Sequence, residues 1–388
     1  MIAYNRTGLD NLFIRKQAKE SFASGCISGE ENEKISTAHP VDFYTPNIFI
    51  CIGLFLLTVL IIACTLGFFG LISAESSQSF TVLLVLFGLI CYGALEFTVL
   101  KRRHYKSGVD YALLWMSAIL LYSGIFLAFE NMSITFQCIL AIAISLLFAI
   151  RFGNYLMAMI TYAALLTLII HIIVLLNGPV QLILPFNLMA VSVGAWFLSD
   201  SLYHRNQFRH YRQCFTMMKV ASLTSFYLAG NYFVVREMSD YIFGASRNPG
   251  GLSAGWLFWI LTVTTPLFYI FRGIRRKNSI FLWTGLALIA ATIFTIRYYY
   301  HVLPAEWACT PGGVMMIVIA YTLIRYLKIP RNGFTSQESS TRHIMENLHL
   351  ESLVIAETFG GPETVKVPSN DFQFGGGSGG GGGAGGQY

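Results

Sequence analysis

Apolar stretches of about 20 residues recur along most of this 388-residue chain, and each is long enough to cross the hydrocarbon core of a bilayer. Backbone groups in lipid must be satisfied internally, which leaves helices or closed barrels as spanning structures. None of the stretches shows the ten-residue alternation of a barrel strand. The expected fold class is therefore all-α, a polytopic transmembrane helix bundle. Charge supports this: 12% of residues are charged against about 25% in soluble domains, so there is not enough polar surface for a water-facing globule. Disordered, fibrous, disulfide-stapled and ordinary soluble enzyme classes are excluded on the same ground.

The hydrophobic pattern predicts about ten spans, at 47–73, 80–100, 109–129, 133–150, 154–176, 180–199, 217–235, 254–272, 279–298 and 308–327. Alternate loops hold the basic residues: Lys101, Arg102, Arg103 and Lys106, then Arg151, then Arg205, Arg209 and Arg212, then Arg272, Arg275, Arg276 and Lys277. Arg325, Lys328 and Arg331 follow the last span. Positive residues stay on the cytoplasmic side, so both termini are expected to be cytoplasmic, and an even span count has the same parity. The net charge of +6 resides in these short loops, which points to anionic lipid headgroups and not to nucleic acid.

The ends are polar. Residues 1–46 are expected to form a cytoplasmic helical hairpin packed on the membrane, a partner or the protein's own loops. Asp10 is placed to cap a first helix carrying Leu12, Ile14, Ala18 and Phe22, and Gly25 to end it. Ser28-Gly29-Glu30-Glu31 has the spacing of a capping box and opens a second helix. No cleavable signal peptide is read in these polar residues, so the first span is expected to direct insertion. After the spans of 47–327, residues 328–373 are expected to hold one short amphipathic helix near 341–356. Residues 374–388 form a glycine-rich tail that cannot offset its ordering entropy, a disordered tether or a recognised peptide with Phe374 and Tyr388 as anchors.

Catalytic and metal patterns are weak. Seven cysteines form no CxxC pair, and Cys51, Cys64, Cys91 and Cys138 read as small apolar fillers. Gly251-Leu252-Ser253-Ala254-Gly255 matches a serine-hydrolase pattern, with His301 on the same side as its candidate partner. That pattern requires a strand–turn–helix elbow, and a turn before a helix start is the simpler reading. His343, Glu346, His349 and Glu351 lack HExxH spacing and read as a solvated helix. No cofactor or metal is expected. Glu96, His171, Asn187 and Lys219 are the polar groups inside or at the ends of spans, with Glu96 interfacial and Lys219 snorkelling. Pro185 and Pro266 are candidate kinks.

The ends of the seventh and ninth spans hold the best candidate site. Asn231, Arg236, Glu237, Asp240, Arg297, Tyr300, His301 and Glu306 gather there, and Arg236 and Arg297 depart from the positive-inside pattern. An outward-facing polar pocket with tyrosine walls competes with an interfacial belt of aromatic and snorkelling residues.

Gly25-Cys26-Ile27-Ser28-Gly29-Glu30-Glu31 before a many-span bundle resembles uncharacterised bacterial polytopic membrane families with a short G-x-I-S-x-E segment ahead of the first span. The tail from Phe374 to Tyr388 is similar to the glycine-rich, aromatic-ended tails of TPM-domain membrane proteins, although the chain has no TPM domain. The resemblance implies a bacterial cytoplasmic-membrane protein working beside other envelope proteins, and carries over no catalytic residue. The expected role is a non-enzymatic scaffold or accessory subunit, with membrane lipids and an envelope protein as partners. A ten-span small-molecule transporter and, more remotely, an intramembrane serine hydrolase are the alternatives.

Overall fold

The computed structural model describes residues 2–23, 25–72, 77–129, 132–176, 180–243 and 254–299, with isolated positions 317, 321 and 325. The described residues form α1 (Arg6–Ala23), α2 (Gly29–Ala38), α3 (Ile48–Ile72), α4 (Ser77–Leu100), α5 (Val109–Ala128), α6 (Ile134–Phe152) and α7 (Tyr155–Leu175). They continue with α8 (Val180–Tyr203), the 3-10 turn η1 (Asn206–Tyr211), α9 (Arg212–Gly230), α10 (Tyr232–Phe243), α11 (Gly255–Arg276) and α12 (Ser279–Tyr299). An isolated bridge between Tyr44 and His104 is the extended pairing among them.

Eight of these helices, α3 to α8, α11 and α12, are long and apolar enough to cross a bilayer, and the chain is a multi-pass membrane protein. The expected seventh span, 217–235, is not one helix: it divides into α9 and α10 at Asn231. The expected span 308–327, the helix near 341–356 and the tail lie outside the described residues.

Short polar signals set the helix ends. Ser28 caps α2 in a complete capping box, accepting from the Glu31 amide while the Glu31 carboxylate accepts from the Ser28 amide. Gly153, left-handed at φ 62°, ends α6, and Asn154 caps α7 by accepting from the Leu156 and Met157 amides. Asp10 does not cap α1, which begins four residues earlier. Asn5 accepts from the Thr7 amide at that start, and Asp10 pairs with Arg209 and His210 of η1.

The spans pack as successive antiparallel hairpins, α4 with α5, α6 with α7, α8 with α9 and α11 with α12. A five-plus-five inverted repeat would give α8 the place of α3, which packs on α5. Instead α8 packs on its immediate successor. Two hairpins close on reciprocal glycines. A Cβ on Gly88 would meet the Leu121 amide nitrogen at 3.0 Å, and one on Gly124 would meet the Val85 nitrogen at 3.0 Å. In the other hairpin, a Cβ on Gly273 would meet the Leu282 nitrogen at 2.7 Å, and one on Gly285 the Ile270 nitrogen at 3.1 Å. Without a hydrophobic drive between helices in lipid, such close backbone approach is a main source of association. By contrast α3 buries Ile62 alone and turns Leu56, Leu57, Leu60 and Ile61 outward, the pattern of a lipid-facing helix.

The loops rich in basic residues share one end of the bundle. Arg151, at the end of α6, grips Glu96 of α4 through Nε and Nη2 at 2.6 and 2.9 Å, and Tyr92 donates to the same carboxylate at 3.0 Å. The carbonyls that α6 leaves open are taken at this end: Ala3 N donates to Arg151 O, Tyr211 Oη to Ile150 O and Cys214 Sγ to Gly153 O. The N-terminal segment is part of the bundle, with Ala3, Tyr4 and Leu9 buried in one core with Leu95, Leu114, Phe148 and Met157. Of the packing modes expected for residues 1–46, the protein's own loops and helix ends are the observed one.

Candidate functional site along a polar, interrupted helix

Helix α9 is the polar member of the bundle, and it is also the one enclosed by most others, packing against α7, α8, α11 and α12. Thr216, Lys219, Ser222 and Ser225 recur every three residues along it, so they drift slowly around one side. Leu223, Tyr227 and Asn231 follow the four-residue spacing on the adjoining side.

At the basic end of α9, the buried Lys219 ammonium lies 2.6 Å from Asp200 of α8 and 4.1 Å from the centre of the Tyr203 ring. Lys219 thus has a fixed acidic partner and does not snorkel freely. One turn on, Ser222 donates to the Lys219 carbonyl at 2.8 Å. Next comes a cluster of three hydroxyls from three helices. Ser225 of α9 is 2.6 Å from Tyr162 of α7 and 2.8 Å from Ser192 of α8, and Tyr162 donates to Ser192 at 3.3 Å. Ser192 and Tyr162 are buried.

The far end is where the helix stops and restarts. Asn231 adopts extended backbone, φ −79° and ψ 126°, and is 2% exposed. Its side-chain Oδ1 accepts from the Phe233 and Val234 amides, capping α10. Its amide nitrogen donates to Tyr227 Oη at 2.8 Å and Thr295 Oγ1 at 3.0 Å. Tyr227 Oη is 2.9 Å from Thr292 Oγ1, which donates to the Thr262 carbonyl. Thr262 Oγ1 takes the Tyr232 amide at 2.9 Å, so groups freed by the break are met by α11 and by Asn231 itself. Irregular backbone at membrane depth is tolerated where protein re-satisfies it in this way.

Beyond the break the expected pocket is only partly assembled. Arg236 is 3.9 Å from Asp240 and lies 5.2 Å over the Tyr299 ring, in an aromatic cluster with Tyr232, Trp259 and Tyr298. Glu237 and Arg297 are exposed, the latter on α12. Asn231 belongs to the interior network and not to the surface. Tyr300, His301, Glu306, Ser253, Phe374 and Tyr388 lie outside the described residues.

Sequence reading passed over Asp200, Tyr162, Ser192, Ser225 and the threonines of α11 and α12. Two signals in the sequence point to them. One is the three-residue polar stripe of α9. The other is the Gly-Asn pair, present as Gly153-Asn154 between α6 and α7 and as Gly230-Asn231 at the break. No family model matches the chain, and no curated protein or solved structure is similar to it.

Proposed function

We propose that the protein is a non-enzymatic transporter of a polar small molecule, inserted in a bacterial cytoplasmic membrane with its basic end and both termini in the cytoplasm. One observation carries this reading. The most polar of the packed helices is also the most enclosed, and it is interrupted at Asn231 among hydroxyl partners from two other helices, Thr262 of α11 and Thr292 and Thr295 of α12. Polar groups inside a membrane bundle mark pathways by default, and discontinuous helices are how many carriers present backbone and side-chain groups to a solute. The charge asymmetry of the loops supports the orientation. The hairpin arrangement speaks against the five-plus-five carrier type, so transport here would use a different repeat.

The test is aqueous access. In a cysteine-free background, Ser225→Cys and Thr292→Cys should react with a charged, membrane-impermeant methanethiosulfonate from at least one face of reconstituted vesicles, while Leu57→Cys on lipid-facing α3 should not. Complete protection of both interior positions from both faces would defeat the transport reading. A scaffold or accessory role remains the second reading. It is favoured by α2, which buries none of its residues, and by the tail anchors Phe374 and Tyr388. Deleting residues 374–388 should then release a co-purifying envelope protein.

A further inference from the structure

A cavity of about 750 Å³ lies at the basic end, roofed by α1 and walled by the segments around 105–111, 152–155 and 206–213. It falls within the size range of small-molecule sites, about 300–1,000 Å³. Four cations line it, Lys16, Lys106, Arg209 and Arg212, against two carboxylates, Asp10 and Asp110.

Both carboxylates are already engaged. Asp110, 3% exposed, accepts from the Lys106 and Ser107 amides at 2.8 and 2.9 Å, from Ser107 Oγ at 3.2 Å and from Tyr4 Oη at 3.4 Å. Asp10 is held by Arg209 and lies 3.7 Å from His210. Lys16 stands near Glu20 at the exposed rim. The other two lining cations, Lys106 and Arg212, form no ion pair with a carboxylate among the described residues, although Asp110 lies within electrostatic reach of Lys106. The Lys106 ammonium meets the neutral Gln213 amide oxygen at 3.3 Å and the Tyr105 ring at 5.6 Å. Arg212 stacks 5.6 Å from the Tyr203 ring, and its Nε is buried with no hydrogen-bond partner. An orphaned donor of this kind in a native interior calls for a missing partner. Burial, and then Lys16, push the Lys106 ammonium below its usual range, and the opposing pull of Asp110 does not cancel them.

We infer that this cavity binds a phosphomonoester dianion, held between Lys106 Nζ and the Arg212 guanidinium, with an organic body lying against the apolar and tyrosine walls. Two cations outside any ion pair match the charge of about −1.5 to −2 that a phosphomonoester carries at neutral pH. The Arg212 fork suits its oxygens. The cavity is larger than a phosphate group alone, and Phe13, Leu114, Tyr111 and Tyr155 offer surface for an attached body. The same chemistry has two sources, a soluble phosphomonoester or the headgroup of a phosphatidate lipid. The site is separate from the α9 pathway, because neither Lys219 nor Ser225 lines it, and it stands whether or not the protein transports a solute.

The experiment uses the full chain in phosphatidylcholine nanodiscs. Phenyl phosphate is titrated as the soluble probe, phenyl sulfate as its monoanionic counterpart, and phosphatidic acid is added to the lipid as the membrane probe. Saturable binding of phenyl phosphate, tighter than phenyl sulfate, supports a soluble ligand; binding of phosphatidic acid alone supports a headgroup. In either case Lys106→Gln and Arg212→Gln should each weaken binding at least tenfold, and Arg275→Gln, on the exposed end of α11 outside the cavity, should leave it unchanged. If Arg212→Gln does not fold, Lys106→Gln alone decides. No binding of either phosphate probe, equal affinity for phenyl sulfate, or equal weakening by Arg275→Gln would each overturn the proposal.

Discussion

Asn231 performs two jobs with one side chain: its oxygen caps α10, and its nitrogen ties Tyr227 and Thr295. Replacing it with Ala leaves buried donors and acceptors unpaired, and each such loss costs about 1–3 kcal/mol. Asn231→Ala should therefore lower the thermal midpoint in detergent clearly more than Asn187→Ala, whose partner is the Ile183 carbonyl one turn away on its own helix. The Lys219–Asp200 pair should respond asymmetrically. The Lys219 side chain is 8% exposed and Asp200 40%. Asp200→Asn strands a buried ammonium and should cost up to about 3 kcal/mol, whereas Lys219→Met leaves a carboxylate that water can reach and should cost under about 1 kcal/mol. The opposite ranking in a thermal unfolding series would mean that the pair is not formed.

His210 belongs to the same scale. Burial holds its imidazolium below the ordinary range, Asp10 works against this, and Arg209 and Arg6 reinforce it. A depressed folded value means the unfolded chain takes up the proton first, so this contribution is complete above pH ~6.5 and is lost as pH falls through the lower folded value. His104 is shifted the same way by burial, with Arg102 assisting and Asp110 opposing. Amide protection factors, the exchange rates relative to the intrinsic rates at each pH, should thus fall over α1 and residues 42–46 between pH 7.5 and 5.5, and His210→Asn should flatten that dependence for α1.

At the scale of elements, the close hairpins make a sharp prediction. Gly88→Leu or Gly285→Leu places a side chain against Leu121 or Ile270, backbone included, and overpacking of this kind costs about 1–3 kcal/mol. Gly53→Leu on α3, with open space around it, should cost little. Gly108 is different. Its φ of 92° and the Cys51 carbonyl oxygen 2.0 Å from where a Cβ would stand forbid any side chain, so Gly108→Ala should impair folding itself. Much at this scale was legible. The long apolar runs of α3 to α8, α11 and α12 lie within a few residues of their expected positions, because about 20 apolar residues between polar loops leave a helix little choice. The break at Asn231 was not, because Tyr232 to Val235 prolong the apolar run, and only the capping geometry reveals that a second helix starts there.

For the whole molecule, loop charge and packing agree on one basic end, joined by the Glu96–Arg151 pair and by the clamp of η1, α9 and the segment before α1 on the end of α6. In a cysteine-free background, Lys101→Cys and Lys277→Cys should react with an impermeant maleimide from the same face, and Ser133→Cys from the other. Mixed sidedness for the first two would break the topology.

The sequence by itself determined that the chain is a helical membrane protein, where eight of its long apolar helices lie and which loops carry the basic residues, because lipid excludes unpaired backbone and charge asymmetry is written in order along the chain. Only the tertiary structure decided that Asp10 pairs across the bundle instead of capping its own helix, and that Asn231 turns inward. It also decided that α1 roofs a cavity with two cations outside any ion pair. Those outcomes depend on which helix faces which, and so on contacts between residues far apart in the chain, such as Asp10 with Arg209 and Asn231 with Thr295.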